Sequence, residues 1–339
     1  MTNFKSLTRE ERKQALISLG EKPFREKQIF EWICKGVSSF DDMTNLSLTL
    51  RESLKASYSF DSLSVVTVKK SKDGTAKYLL EAPDGNRVES VFMQYEYGNT
   101  VCLSTQVGCN MGCVFCASGI DGKIRNLKAW EILDEYLVVR AHAGQPVNHV
   151  VLMGMGEPLD NYAEVKEFIK MIHDKDGVNL SLRNITLSTC GIIPKIHEYA
   201  VDFPQANLAV SLHRSNQPAR EKLMPIAKKY ELSSLIKACR EYTKETGNRI
   251  SFEYALIDGE NDRDEDVKEL TSLLKGMNCH INLIPLNNVT ESGLKGSSRE
   301  NAEKFAQKLE KLGIPTTVRR SLGEDIDAAC GQLRKNYTC

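Results

Sequence analysis

From residue 100 to about residue 320 the sequence repeats one pattern: a short β-rich run, a loop, then a helical stretch. Candidate strands cover 100–105, 149–154, 185–189, 208–213, 250–257 and 281–285. Helical stretches lie near 128–143, 161–174, 193–201, 232–246, 262–275 and 298–313. Strands that alternate with crossover helices run parallel in one sheet. Eight such units close a complete barrel, and six predict a partial, open (βα)6 barrel of the α/β class. Chemistry in parallel α/β sheets gathers at the carboxyl ends of the strands. The distinctive residues fall there. Cys109 follows the first strand, Gly154-Met155-Gly156-Glu157 the second and Ser188-Thr189-Cys190 the third. Ser211-Leu212-His213 ends the fourth, and Pro285-Leu286-Asn287 ends the sixth.

The front of the chain has a different character. Thr8-Arg9-Glu10-Glu11 fits a capping box, and Gly20 is a helix stop. A second helix is expected over 24–35, where Ile29, Phe30 and Ile33 form an apolar stripe, and a third over 46–56. So small a unit buries little core alone and is expected to dock on the rest of the chain. Residues 62–104 then switch to short β-rich runs (63–68, 76–81, 87–93, 100–104). Asp73-Gly74 and Pro83-Asp84-Gly85 supply turns, which predicts a meander leading into the first core strand. The expected organisation is a helical accessory domain (1–60), a β extension (61–99), the partial barrel (100–315) and a C-terminal strand and loop (316–339) carrying Cys330.

Lys plus Arg and Asp plus Glu are 45 each, so the formal net charge is zero. This argues against a polybasic nucleic-acid binder, though not against a local basic face. No apolar run approaches the roughly 20 residues that span a bilayer. The charged start has no signal-peptide pattern, which predicts a cytoplasmic protein. In that compartment ten cysteines need an explanation other than disulfides.

Cys109, Cys113 and Cys116 form C-x3-C-x2-C in the loop after the first strand. Three thiolates can ligate three irons of a [4Fe–4S] cluster and leave the fourth iron open to a ligand. The alternatives are packing cysteines or a zinc knuckle. Zinc wants a fourth ligand, and the nearest histidine in sequence is His142. Cys34, Cys190, Cys239, Cys279 and Cys339 show no cluster spacing and are read as packing or incidental surface residues.

The triad, with Phe115 before its last cysteine, resembles the radical S-adenosylmethionine superfamily. The stretches from Val101 to Cys109, Met153 to Leu159 and Asp325 to Leu333, with Pro23 to Trp32 at the front, narrow this. They look like the adenine-C2 RNA methyltransferase family, along nearly the whole chain. The resemblance implies a radical S-adenosylmethionine fold with one [4Fe–4S] cluster, and two S-adenosylmethionine molecules used per turnover. It implies 23S rRNA and tRNA as substrates and an external electron donor such as flavodoxin or ferredoxin. Gly156, Glu157, Ser188, Ser211, Leu212, His213 and Asn287 match the family's cofactor contacts.

The resemblance also implies that Cys330 becomes S-methylcysteine and then a covalent protein–RNA adduct. Cys102 resolves the adduct through a transient disulfide with Cys330, and Glu89 accepts a proton. Taken alone, Cys102 reads as a buried strand cysteine, Cys330 as a loop thiol and Glu89 as a surface position of a strand. The Gly-flanked segment around Cys330 is expected to be mobile enough to reach the cluster.

Residues 1–36 hold eight Lys/Arg against five Asp/Glu, and residues 51–80 six against three. With the family, the helical front and the turn flanked by Lys69, Lys70 and Lys72 become candidates for phosphate contact. Phe24 and Trp32 are candidates for base stacking or core packing. An adenosine in a loop suits a site that must receive an unstacked base.

Three other readings compete. An adenine-C8 methyltransferase shares the cluster and both cysteines, but Pro158 favours C2. A radical enzyme acting on peptides or small molecules often carries further clusters. A non-enzymatic RNA-binding zinc protein is the third.

Overall fold

The computed structural model describes residues 1–287 and 293–333. Three helices open the chain: α1 (Arg9–Ser18), α2 (Arg25–Lys35) and α3 (Leu48–Ser57). The expected capping box starts α1, with Thr8 Oγ1 and the Glu11 carboxylate each accepting the other's backbone N–H. Gly36, at φ +82°, ends α2. This helix buries Ile29, Phe30 and Ile33, each contributing about 1.5–3 kcal/mol.

An antiparallel meander comes next, made of β1 (Ser64–Lys70), β2 (Ala76–Glu81), β3 (Arg87–Tyr95) and β4 (Gly98–Cys102). A small ribbon, β5 (Gln106–Val107) with β6 (Arg125–Asn126), brackets the cysteine loop. The remaining strands are β7 (His149–Leu152), β8 (Ile185–Thr189), β9 (Asn207–Ser211), β10 (Ile250–Leu256), β11 (Cys279–Pro285) and β12 (Thr316–Val318). Crossover helices are α4 (Ala129–Ala143), α5 (Tyr162–His173), α6 (Ile193–Asp202), α7 (Gln217–Leu223), α8 (Leu232–Thr246), α9 (Asp264–Leu274) and α10 (Arg299–Lys311). Ten strands join in one sheet in the order β1-β2-β3-β4-β7-β8-β9-β10-β11-β12. From β4 onward every neighbour is parallel, the arrangement of an unclosed barrel. β12 adds a seventh parallel strand to the six read from the repeat, at the place where a C-terminal strand is expected. The short α7 has no counterpart among the helical stretches of the repeat.

The first core strand is shorter than the expected 100–105. β4 ends at Cys102 because the chain bends towards the end of β7: Leu103 N–H donates to Val151 O, and Gly154 N–H donates to Leu103 O, both at 3.0 Å. A Cβ on Gly154 would sit 2.6 Å from Leu103 O, so this approach needs glycine.

The helical front shares one apolar core with the sheet. Phe4 meets Phe40 and Tyr58 edge-on, at 5.7 and 5.3 Å. Two of its basic residues are spent internally, which corrects the count of charges available to RNA. Lys5 is buried and pairs with Asp134 on α4 at 3.0 Å, and Arg12 is buried against Glu26 at 2.8 Å. Arg9 ties α1 to Asp174 and Asp176. Among the described residues, no helix is long and apolar enough to cross a membrane.

Candidate active site

The three cysteines of the spaced motif line one cavity at the carboxyl ends of the parallel strands. Their loop is pinned to α7, where Val114 N–H donates to Leu223 O at 3.0 Å. Burial pushes the Cys109 thiol up to about 12 and the Cys113 thiol well above its ordinary value, and the neighbouring cysteines add to this. Three such thiols become ligands only when a cationic centre draws off their protons. Among the described residues, no three His, Cys, Asp or Glu side chains converge on a point as the ligands of a single ion do. Three soft donors spread round one cavity fit a polynuclear iron–sulfur centre.

Around the same cavity stand Gly156, Glu157, Ser188, Ser211, His213 and Asn287. Gly156 has φ +101°, and a Cβ there would lie 2.6 Å from Gln106 Cβ, so the loop lies against β5. Glu157 is buried, and its oxygens accept from Leu159 N at 3.0 Å and Cys190 N at 2.7 Å. Burial raises its pKa, and these N–H donors work in the opposite direction. His213 takes φ +55°, strained for a residue with a side chain. Its Nδ1 accepts from Ala255 N at 2.9 Å, and burial, helped by Arg220 and Arg214, lowers its pKa to about 3. The imidazole is therefore neutral, and Phe115 packs edge-on against it at 4.7 Å. Leu212 does not line the cavity; it is buried between the two rim residues that do.

A second cavity adjoins the first. Cys102, from the end of β4, and Cys330 both line it, and Cys330, Asn287, Met153 and Arg319 line both cavities. Asn287 Nδ2 donates to the Cys330 carbonyl at 3.1 Å. Arg319, just beyond β12, lines the second cavity with Cys102 and Cys330, and its guanidinium lies 3.9 Å from Oε2 of the buried Glu253.

The Cys330 segment is not the loose arm expected from its glycines. On one side Asp73 accepts from Gly323 N at 2.9 Å, and Lys77 Nζ donates to Asp327 O at 2.9 Å. On the other, Ala117 N donates to Gly331 O at 2.7 Å, and Ser118 Oγ donates to Leu333 O at 2.8 Å. The Asp73-Gly74 turn thus holds the Cys330 segment, and it does so while Lys70 and Lys72 stay exposed. Cys339 lies outside the described residues.

Glu89 is not a surface position. It is buried, and its Oε1 lies 3.0 Å from Lys77 Nζ. It lines neither cavity, but it shares a face of β3 with Val91, Met93 and Tyr95, which line the second. Phe24 is 56% exposed, whereas Trp32 packs partly on the core.

Sequence reading missed Arg319 and Glu253, which carry no motif. Cys190 packs as expected, in an apolar cluster with Leu223, Met224 and Ile257, and it also lines the first cavity, where its backbone N–H fixes Glu157.

A partial barrel with a three-cysteine loop after its first parallel strand and a polar rim at the strand ends defines a radical S-adenosylmethionine enzyme. Residues 103–271 match the model of the radical SAM superfamily, and residues 2–59 that of the ribosomal RNA large subunit methyltransferase N-terminal domain. A probable dual-specificity RNA methyltransferase RlmN of Alkaliphilus oremlandii is 51% identical over 98% of this chain and 97% of its own length. One of the same name from Desulforamulus reducens is 50% identical over 99% and 96%. The crystal structure of a radical SAM methyltransferase from Sphaerobacter thermophilus superposes with a TM-score of 0.94 at 42% identity, covering 99% of this chain and all of that one. The chain belongs to the RlmN family of radical S-adenosylmethionine RNA methyltransferases, and its cofactors are a [4Fe–4S] cluster and S-adenosylmethionine.

Proposed function

We propose that the chain methylates C2 of one adenosine in 23S rRNA and one in the anticodon loop of tRNA, in the cytoplasm. The observation that carries this reading is the pairing of Cys102 and Cys330 on one cavity that shares Arg319 and Asn287 with the three-cysteine cavity. A simple methyl transfer needs no second thiol beside the acceptor. A covalent adduct through sulfur needs one to release it.

Cys109, Cys113 and Cys116 hold the cluster. Gly156, Glu157, Ser188, Ser211, His213 and Asn287 hold S-adenosylmethionine, with Glu157 receiving its ammonium, and the buried Leu212 sets the spacing of Ser211 and His213 behind them. The bound cofactors supply the methyl group and the radical that activates it, at two S-adenosylmethionine molecules per turnover.

The chain's own part is to carry and release carbon. Cys330 Sγ takes the methyl group and bonds through it to adenine C2, an electrophilic carbon. Glu89, held against Lys77, accepts the proton from C2 as one electron leaves the adduct, for which the cluster would be the acceptor. Cys102 Sγ then attacks Cys330 Sγ: the bond from that sulfur to carbon breaks, the freed carbon takes a proton to complete the methyl group, the two sulfurs close a disulfide, and external thiols reduce the pair. Flavodoxin or ferredoxin supplies the cluster's electron. The helical front (1–60) and the turn of the β extension (61–99) contact RNA phosphates, with Phe24 available for stacking.

Anaerobic incubation with S-adenosylmethionine, reductant and separate rRNA and tRNA fragments, followed by mass spectrometry of the nucleosides, tests the reading. It expects 2-methyladenosine in both RNAs. 8-Methyladenosine, or no methylated base, overturns it.

A further inference from the structure

Five Lys and Arg side chains are buried among the described residues: Lys5, Arg12, Lys77, Arg214 and Arg220. Four have a carboxylate partner, Asp134, Glu26, Glu89 and Glu260 respectively. Arg220 has none among the described residues. It lies on α7, is fully buried, and gives its guanidinium to backbone carbonyls alone. Nη2 donates to Cys190 O at 2.7 Å and Ser211 O at 3.2 Å, and Nε donates to Leu212 O at 3.3 Å. Nη1 has no partner among the described residues.

A buried cation without a counter-charge is expensive, and carbonyl dipoles offset only part of that. The carbonyls belong to the ends of β8 and β9, the strands that carry the cavity rim. The helix that carries Arg220 also packs on the cysteine loop: the N–H of Val114, the residue after Cys113, donates to Leu223 O at 3.0 Å. Burial lowers the Arg220 pKa. An iron–sulfur core held by three thiolates is a net anion, and more so once reduced.

We propose that Arg220 is the buried counter-charge of the iron–sulfur cluster and raises its reduction potential by favouring the reduced state. The inference rests on the assignment of Cys109, Cys113 and Cys116 as ligands. It explains why this one buried cation lacks a carboxylate: a permanent Glu or Asp there would cancel the charge the cluster needs.

The test compares Arg220→Lys and Arg220→Gln with the unaltered protein, each reconstituted anaerobically with iron and sulfide. The cluster is titrated electrochemically and followed by electron paramagnetic resonance, without RNA. Both variants lose the guanidinium fork, so a purely structural role moves both alike. The charge role predicts that the Lys variant keeps the original potential and the Gln variant shifts to a more negative one. A Gln variant at the original potential, or equal shifts in both, overturns the proposal.

Thermal midpoints give a second reading that needs no titration. Without iron the neutral Gln variant should be more stable than the Lys variant, and with iron the order should reverse. The same order in both states overturns the proposal as well. An unaltered protein that takes up no iron would overturn the ligand assignment and this inference together, which separates that failure from the others.

Discussion

Lys77 Nζ, on β2, donates to the carbonyl of Asp327 at 2.9 Å, although the two residues stand 250 positions apart. The same ammonium is 3.0 Å from Glu89. The β extension and the C-terminal segment that carries Cys330 are therefore one mechanical unit. Replacing Lys77 by Met leaves Glu89 buried without its cation and should lower stability by about 3–5 kcal/mol. Lys77→Met/Glu89→Gln should recover most of that loss in a denaturant titration. It should still methylate Cys330 poorly by intact-mass analysis, because the Asp327 anchor is gone. Normal methyl uptake in the double variant would remove the clamp from the account.

Arg319 should act on the first half of the reaction. Its guanidinium lines both cavities together with Cys330 and is held by Glu253, so it fixes the wall against which Cys330 takes the methyl group. Arg319→Met should slow methyl uptake on Cys330 by on the order of tenfold or more, the effect of about 1.4 kcal/mol. Iron content should not change. The rate is read from Cys330 methylation over time, and an unchanged rate would remove Arg319 from this role.

These features explain how much of the site is legible in the sequence. The parallel strands declare themselves through the short β-rich runs that alternate with helical stretches. The three spaced cysteines declare themselves through spacing, and the rim residues through their place at strand ends. Arg319, Arg220 and Lys77 do not. A lone basic residue carries no spacing signal, and its meaning comes from partners far away in the chain. Glu89 looks solvent-facing in the sequence because a meander is often exposed on one side. β2 and β3 are instead buried on both faces along most of their length. The segment around Cys330 looks loose because its anchors, Asp73, Lys77 and Ser118, lie more than 200 residues away.

Glu135 on α4 makes stability pH-dependent. Burial pushes its pKa up to about 8, against hydrogen bonds from Ser90 Oγ and Ser104 N. The unfolded chain releases this proton near pH 4.3, so between roughly pH 4.3 and pH 8 the folded state holds one proton more. Stability should therefore fall as pH rises through that window and level off above it, by a few kcal/mol in total, on the order of 1.4 kcal/mol per unit. Glu135→Gln should flatten the fall. Urea midpoints of the two proteins from pH 5 to pH 9 check this, and parallel curves would contradict it.

Lys70 and Lys72 are exposed on the turn whose backbone holds the C-terminal segment. If they also meet RNA phosphates, replacing both by Ala should cut the slope of log affinity against log salt by up to about two units. It should leave cofactor cleavage without RNA unchanged. An unchanged slope would move RNA contact to the helical front.

The central claim is that Cys330 carries the carbon to RNA and Cys102 lets it go. The most direct test is one anaerobic reaction of Cys102→Ala with an rRNA fragment, resolved by denaturing electrophoresis and peptide mass spectrometry. Cys330→Ala serves as control and should take up no methyl group and form no adduct. The account predicts that Cys102→Ala accumulates a stable protein–RNA crosslink through Cys330. A Cys102→Ala protein that releases methylated RNA at the normal rate, with no crosslink, would contradict it.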